Sequence, residues 1–240
     1  MTNTLKTFLA KNARPQIGAI FEGLDRELTA LLEAGVTQEF KKGEVIFHEG
    51  GIPAGVFILQ KGFVKKHKFT SKGGEQIFYI SEKGEFFGYH AILGEEHYVD
   101  SATTLTDAKI VFIPRESFLK IVDKSPALSL RLVKFLAREF SLYKNSIATL
   151  STKSVKERLA ISLLILDEKF RNPDHAHSPG EIILSRTDLA NIVGTAKESL
   201  VRTLREFSVT GLVRLKGKVI TIADREGLIR KASLFERKHS

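Results

Sequence analysis

Ser185-Arg-Thr-Asp-Leu-Ala-Asn-Ile-Val-Gly194-Thr-Ala-Lys-Glu-Ser-Leu-Val-Arg-Thr-Leu-Arg-Glu-Phe207 decides the reading of this 240-residue chain. Ser185 with Asp188 three residues later is a helix-start signal, because a serine oxygen accepts one of a helix's first free N–H groups. The helix it opens is short and ends at Gly194, a residue suited to the left-handed turn that closes a helix. A second helix follows over 195–207. It turns Leu200, Leu204 and Phe207 to one side and Lys197, Glu198, Ser199, Val201, Arg202 and Arg205 to the other. Immediately after it, Gly211-Leu-Val-Arg-Leu-Lys-Gly-Lys-Val-Ile-Thr-Ile222 places two β-branched runs around Lys216-Gly217-Lys218, which predicts a hairpin with a basic tip.

Helix, glycine turn, helix and basic β-wing make a winged helix-turn-helix, whose second helix is sized for the major groove of duplex DNA. There an arginine at 202 reaches guanine O6 and N7, Glu198 accepts from a cytosine amino group, and Val201 meets a thymine methyl. Lys197, Arg205, Lys216 and Lys218 suit phosphates, which fix position but carry no sequence. Ser185 and Ser199 complete the candidate interface. A plainer reading of Glu198 and Arg202 is an exposed i,i+4 ion pair. The charge distribution agrees with a polyanionic partner. Net charge is +9, and residues 151–240 hold 17 Lys+Arg against 11 Asp+Glu, two thirds of that excess.

Upstream, Ser154-x-x-Glu157 is a capping box, and Val155, Leu159, Leu163 and Leu166 follow at helical spacing. Residues 151–153 are expected to be a hinge. Before them, Pro126 opens a long helix over 126–150 with no internal glycine or proline. Two of its apolar subsets repeat at sevens: Leu136, Tyr143, Leu150, and Leu128, Phe135, Leu142. A helix with two apolar stripes packs on its own domain with one and on a partner helix with the other. The expectation is a homodimer joined by this helix.

Residues 36–114 break into short β-rich runs at 44–48, 55–59, 63–69, 76–80 and 109–113, separated by glycine turns about every ten residues. They predict a small antiparallel roll. Residues 1–35 are expected to be helical. The fold class is therefore α+β: residues 1–125 a sensor roll with N-terminal helices, then the dimer helix, the hinge, and the winged helix-turn-helix over 154–240.

Several classes are excluded or disfavoured. The absence of cysteine rules out disulfides, thiolate-bound zinc, cysteine-ligated iron–sulfur clusters and cysteine nucleophiles. No apolar run approaches the roughly 20 residues that span a bilayer, and no secretion signal opens the chain. Hence a cytoplasmic protein without membrane contact is expected. No nucleophile–base set or GxxxxGK[ST] loop emerges, so the chain is not expected to be an enzyme. His175 and His177 in the polar loop around 171–180 lack a third ligand, and no metal site is assigned.

The order roll, long helix, hinge, winged helix resembles the cyclic-AMP receptor protein/fumarate-nitrate regulator superfamily of bacterial transcription factors. The matching text is Lys42-Gly-Glu-Val-Ile-Phe47, Val56-Phe-Ile-Leu-Gln-Lys-Gly62, Gly84-Glu-Phe-Phe-Gly88, and the helix-turn-helix quoted above. The resemblance implies a homodimer on a near-palindromic promoter site and contact with RNA polymerase. It also places an effector pocket at Gly88, Tyr89, His90, Val99, Asp100 and Ser101, with Tyr143 and Lys144 of the long helix. Cyclic-nucleotide binders of the family pair the phosphate with an arginine. Here that position falls on Val99 or Asp100. Losing one charge-assisted contact costs about 1.5–3 kcal/mol, roughly tenfold to a hundredfold in affinity. Cyclic AMP is therefore not the expected effector, and Asp100 is expected to lack a cation. Haem, through His90, His97, His48 or His67, and some other small molecule remain open. An alternative is a small-molecule sensor acting through protein contacts, with a vestigial winged helix.

Overall fold

The computed structural model describes residues 17–71, 73–171 and 180–233. The expected helical segment at 1–16, and His175 and His177, lie outside the described residues. The chain divides between Ser141 and Leu142, inside the long helix, into two compact units.

The first unit is the roll. Two four-stranded antiparallel sheets make it, in the orders β1-β8-β3-β6 and β2-β7-β4-β5. The strands are β1 Val36–Phe40, β2 Val45–Phe47, β3 Gly55–Lys61, β4 Val64–Phe69, β5 Glu75–Ser81, β6 Phe86–Phe87, β7 Ser101–Thr104 and β8 Ala108–Pro114. Strands β1, β6 and β7 go beyond the runs expected from sequence. β1 has a polar middle and is exposed along most of its length, so no apolar alternation announces it. β7 is Ser-Ala-Thr-Thr, whose hydroxyls are buried: those of Ser101 and Thr104 bond to neighbouring backbone and that of Thr103 to the His67 ring, instead of facing water.

Two apolar clusters fill this unit. Phe47, Phe57, Leu59, Val64, Phe87, Tyr98 and Ile110 belong to the one inside the roll. Phe47 lies flat on Tyr98 at 3.8 Å between ring centroids, and Phe57 on Phe87 at 5.3 Å. The other cluster joins the outer face of β3 and β8 to helices α1 Ile17–Ile20, α2 Asp25–Glu33, α3 Tyr89–Leu93, α4 Arg115–Lys124 and the start of α5 Pro126–Thr152. Leu128, Leu132 and Phe135 of α5 are buried there.

The long helix runs two residues past the expected end. Ser151 and Thr152 are helical, and their hydroxyls bond back to the carbonyls of Ile147 and Ala148. The expected three-residue hinge thus shrinks to Lys153, followed by the cap Ser154.

In the second unit, α6 Val155–Phe170 opens with the complete capping box: Ser154 Oγ accepts from Glu157 N, and Ser154 N donates to Glu157 Oε2. Then come β9 Glu181–Ile183, α7 Arg186–Val193, α8 Lys197–Val209, β10 Val213–Lys216, β11 Val219–Ile222 and α9 Arg225–Lys231. The hairpin β10–β11 takes β9 as a third antiparallel strand. The buried Asp167 side chain ties the end of α6 to α9 through Arg225 and also meets Arg171 at 2.7 Å.

Candidate nucleic-acid interface and roll interior

The reading segment forms as its sequence dictates, with a shifted start. Gly194 adopts the left-handed conformation (φ +67°) and Thr195 N bonds back to Ala190 O. Thr195 and Ala196 therefore belong to the turn, and α8 begins at Lys197 instead of Thr195. It continues past Phe207 to Val209. Leu200, Leu204 and Phe207 are buried beneath it. On the opposite side Lys197, Glu198, Val201, Arg202 and Arg205 are exposed, while Ser199 is half-buried. Thr203, on the same helix, is buried, and its hydroxyl donates to Ser199 O.

Lys216 and Lys218 are exposed at the wing tip, where Gly217 has φ +58°. Arg186, at the start of α7, donates to Gly217 O at 2.9 Å and steadies that tip, a contact the sequence did not announce. Ser185 forms the helix cap its spacing predicts. Its hydroxyl accepts from Asp188 N and gives its proton to Asp188 Oδ2 at 2.6 Å. A hydroxyl has a single proton, so the cap leaves none for a phosphate.

The roll interior departs further from expectation. Asp100 does have a cation: Lys66 Nζ lies 2.6 Å from its Oδ1, and both side chains are almost fully buried. The ammonium also sits 4.1 Å from the centre of the Phe47 ring. Lys66 and His67 follow one another on β4, whose register with β7 is unbroken, and both are buried; the slip in the β4–β5 ladder leaves the extra residue, Phe78, on β5. Successive strand residues face opposite ways, so Lys66 turns to Phe47 and Asp100 while His67 shares the other face with Lys65 and is covered there. His67 is held from both sides, by Glu75 at Nδ1 (2.8 Å) and Thr103 at Nε2 (2.9 Å). Burial pushes its pKa down against the pull of Glu75.

The remaining residues of the expected pocket scatter. Gly88 turns the chain from β6 into α3 with φ +87°, and a Cβ there would lie 3.1 Å from the Phe57 ring. Tyr89 faces away from the roll interior. It packs on Phe86 and Phe135 and donates its hydroxyl proton to the buried Glu139 of α5. His90 is half-buried, and Val99 is 47% exposed. Ser101 Oγ accepts from Glu49 N. Tyr143 and Lys144 are exposed on the part of α5 that belongs to the second unit.

On α5, Leu128 and Phe135 are spent on the core of their own unit and offer a partner nothing, which corrects their assignment to the dimer stripe. The large exposed apolar residues of α5 are Leu130 near its start and Val133, Phe140, Tyr143, Ile147 and Leu150. From Val133 on, with half-buried Leu136, they step 133, 136, 140, 143, 147, 150.

Comparison with known proteins agrees with this architecture. Residues 37–125 match the cyclic nucleotide-binding domain and residues 157–231 the Crp-like helix-turn-helix domain. The chain belongs to the cyclic-AMP receptor protein/fumarate-nitrate regulator superfamily. It is similar to a CRP-like cAMP-activated global transcriptional regulator of Mycobacterium tuberculosis, 28% identical over 89% of this chain and 96% of that one. It is equally close to the fumarate and nitrate reduction regulatory protein of Escherichia coli, 28% identical over 80% and 76%. In fold it resembles FixK2 of Bradyrhizobium japonicum, with TM-score 0.73 and 22% identity over 82% and 96% of the two chains. This superfamily member is a transcription regulator with a helix-turn-helix DNA-binding domain. Its relatives are regulators, not enzymes. No described helix is long and apolar enough to cross a membrane.

Proposed function

We propose that this regulator acts in the cytoplasm as a homodimer, reading a near-palindromic promoter site and contacting RNA polymerase. The observation that carries the reading is the exposed face of α8, with Lys197, Glu198, Val201, Arg202 and Arg205 beside the basic wing tip. A vestigial winged helix acting only through protein contacts has no use for that face. Arg202 and Glu198 read base edges, Val201 adds an apolar contact, and Lys197, Arg205, Lys216 and Lys218 hold phosphates. Alternating steps of three and four along 133–150 are the a/d seam of a two-helix coiled coil, and a second copy of α5 is its partner.

The effector is not cyclic AMP. Where the family resemblance expects the phosphate-binding arginine the chain has Val99 or Asp100, and the Asp100 carboxylate is paired with Lys66 inside a roll lined by Phe47, Phe57, Phe87 and Tyr98.

Binding of genomic promoter fragments and random duplexes at physiological salt tests the reading. The protein selects palindromic fragments with half-sites about one helical turn apart, without added cyclic AMP. Arg202→Ala flattens that preference, at about 1–3 kcal/mol for the base pair it reads. Equal affinity of the wild type for promoter and random DNA refutes it.

A further inference from the structure

Arg158 stands on the first turn of α6, and each donor edge of its guanidinium is used. On one side Nε donates to Val193 O at 2.8 Å and Nη2 to Gly194 O at 3.0 Å. On the other side Nη1 donates to Lys153 O at 2.7 Å. The first two carbonyls end α7 and form the glycine turn that leads into α8. The third belongs to the single residue that separates α5 from the DNA-binding domain. One half-buried side chain therefore joins the end of the long helix to the turn that aims the reading helix.

The chemistry suits this post. The last carbonyls of a helix have no partner within it and carry partial negative charge. Gly194, left-handed at φ +67°, turns its carbonyl out of the helical direction, where a fork of fixed N–H groups meets both it and Val193. The joint residue is held at its other end as well. Lys153 Nζ lies 3.5 Å from Glu157 Oε1 and donates to Ser233 O at 3.3 Å. Lys156 adds a 2.6 Å ion pair to Glu206, directly on α8.

We infer that Arg158 is a positioning residue for DNA recognition: it fixes the angle between the end of the long helix and the reading helix, and so sets the spacing of the two reading helices in a dimer. The inference rests on the dimeric DNA-binding function proposed above. Sequence readout needs both helices in register with successive grooves, whereas phosphate binding tolerates error. Loosening the joint therefore lowers the ratio of specific to non-specific affinity and leaves non-specific binding intact.

Arg158→Lys is the discriminating variant. It keeps the charge and the aliphatic stem, but one ammonium cannot serve both edges at once. If Arg158 only balanced charge or filled space, lysine would rescue it. Arg158→Gln removes the charge as a second variant, and circular dichroism identifies the folded proteins. Each full-length variant is titrated with its palindromic site and with random duplex across a salt series. Because the chain has no cysteine, spin labels placed at Ser146→Cys on α5 and Val209→Cys on α8 are the only ones present. Labelled chain diluted into unlabelled chain reads the distance within one molecule.

For Arg158→Lys the specificity ratio falls roughly tenfold or more, the loss of a charge-assisted contact. Non-specific affinity and salt slope stay at wild-type values, and the distance distribution broadens. An unchanged ratio with a narrow distribution overturns the inference, and so does an equal loss on both duplexes. If the wild type itself shows no sequence preference, the DNA-regulator reading fails instead, and the distance distribution alone then decides whether Arg158 fixes the joint.

Discussion

Replacing Lys66 by methionine removes a buried cation and leaves the Asp100 carboxylate in the roll with no counter-charge. At 2.6 Å the pair's attraction is about 6 kcal/mol with an effective dielectric of ~20. Burying the two ions costs several kcal/mol each, so the pair as a whole adds little net stability. Breaking it is another matter, because the remaining charge is already buried: the expected loss is about 3–5 kcal/mol. The lost cation–π contact with Phe47, at 4.1 Å, adds roughly 1 kcal/mol. Asp100→Leu removes the other partner at similar cost. The double variant Lys66→Met/Asp100→Leu replaces both charges with apolar volume and recovers most of the loss. Urea unfolding of the four proteins, arranged as a double-mutant cycle, measures the coupling. A cost below about 1 kcal/mol for Lys66→Met, or a double variant no more stable than the singles, refutes the idea that the roll is closed around this pair.

Lys218→Ala weakens all duplexes alike and lowers the slope of log affinity against log salt by about one, measured by anisotropy titration. Ile147→Asp puts a charge into the proposed seam, so sedimentation shows monomers and affinity for the full palindrome falls toward that of a half-site. The Glu157 carboxyl is held down at about 2, first by the N–H of Ser154 and then by its hydroxyl. A depressed carboxylate stabilises the fold above its unfolded value, so this cap is lost as pH falls from about 4.5 toward 2. Glu157→Gln flattens that part of the stability–pH curve and costs about 1 kcal/mol at neutral pH, read by urea unfolding.

Helical elements and turns were legible from sequence because their determinants are local. Ser154 with Glu157, Ser185 with Asp188, and Gly194 each satisfy groups within a few residues, and the step of Leu200, Leu204 and Phe207 names its own buried face. The same locality explains the errors. Leu128, Phe135 and Leu142 repeat at sevens as Leu136, Tyr143 and Leu150 do, yet only the packing of α5 on its own unit tells which stripe is taken and leaves Val133, Phe140 and Ile147 outside. Asp100 looked uncompensated because its cation lies 34 residues earlier, brought in by β4 pairing with β7 and turned with Phe47 into the roll.

By itself, then, the chain determined a basic winged helix behind a long helix and a glycine-punctuated roll, since periodicity, caps and charge are written along neighbouring residues. Tertiary structure decided what closes the roll, which face of the long helix stays free, and that Arg158 grips both Lys153 and Gly194. Those outcomes depend on carbonyls, rings and charges that strand register and helix packing bring together from distant positions, and no local pattern encodes such meetings.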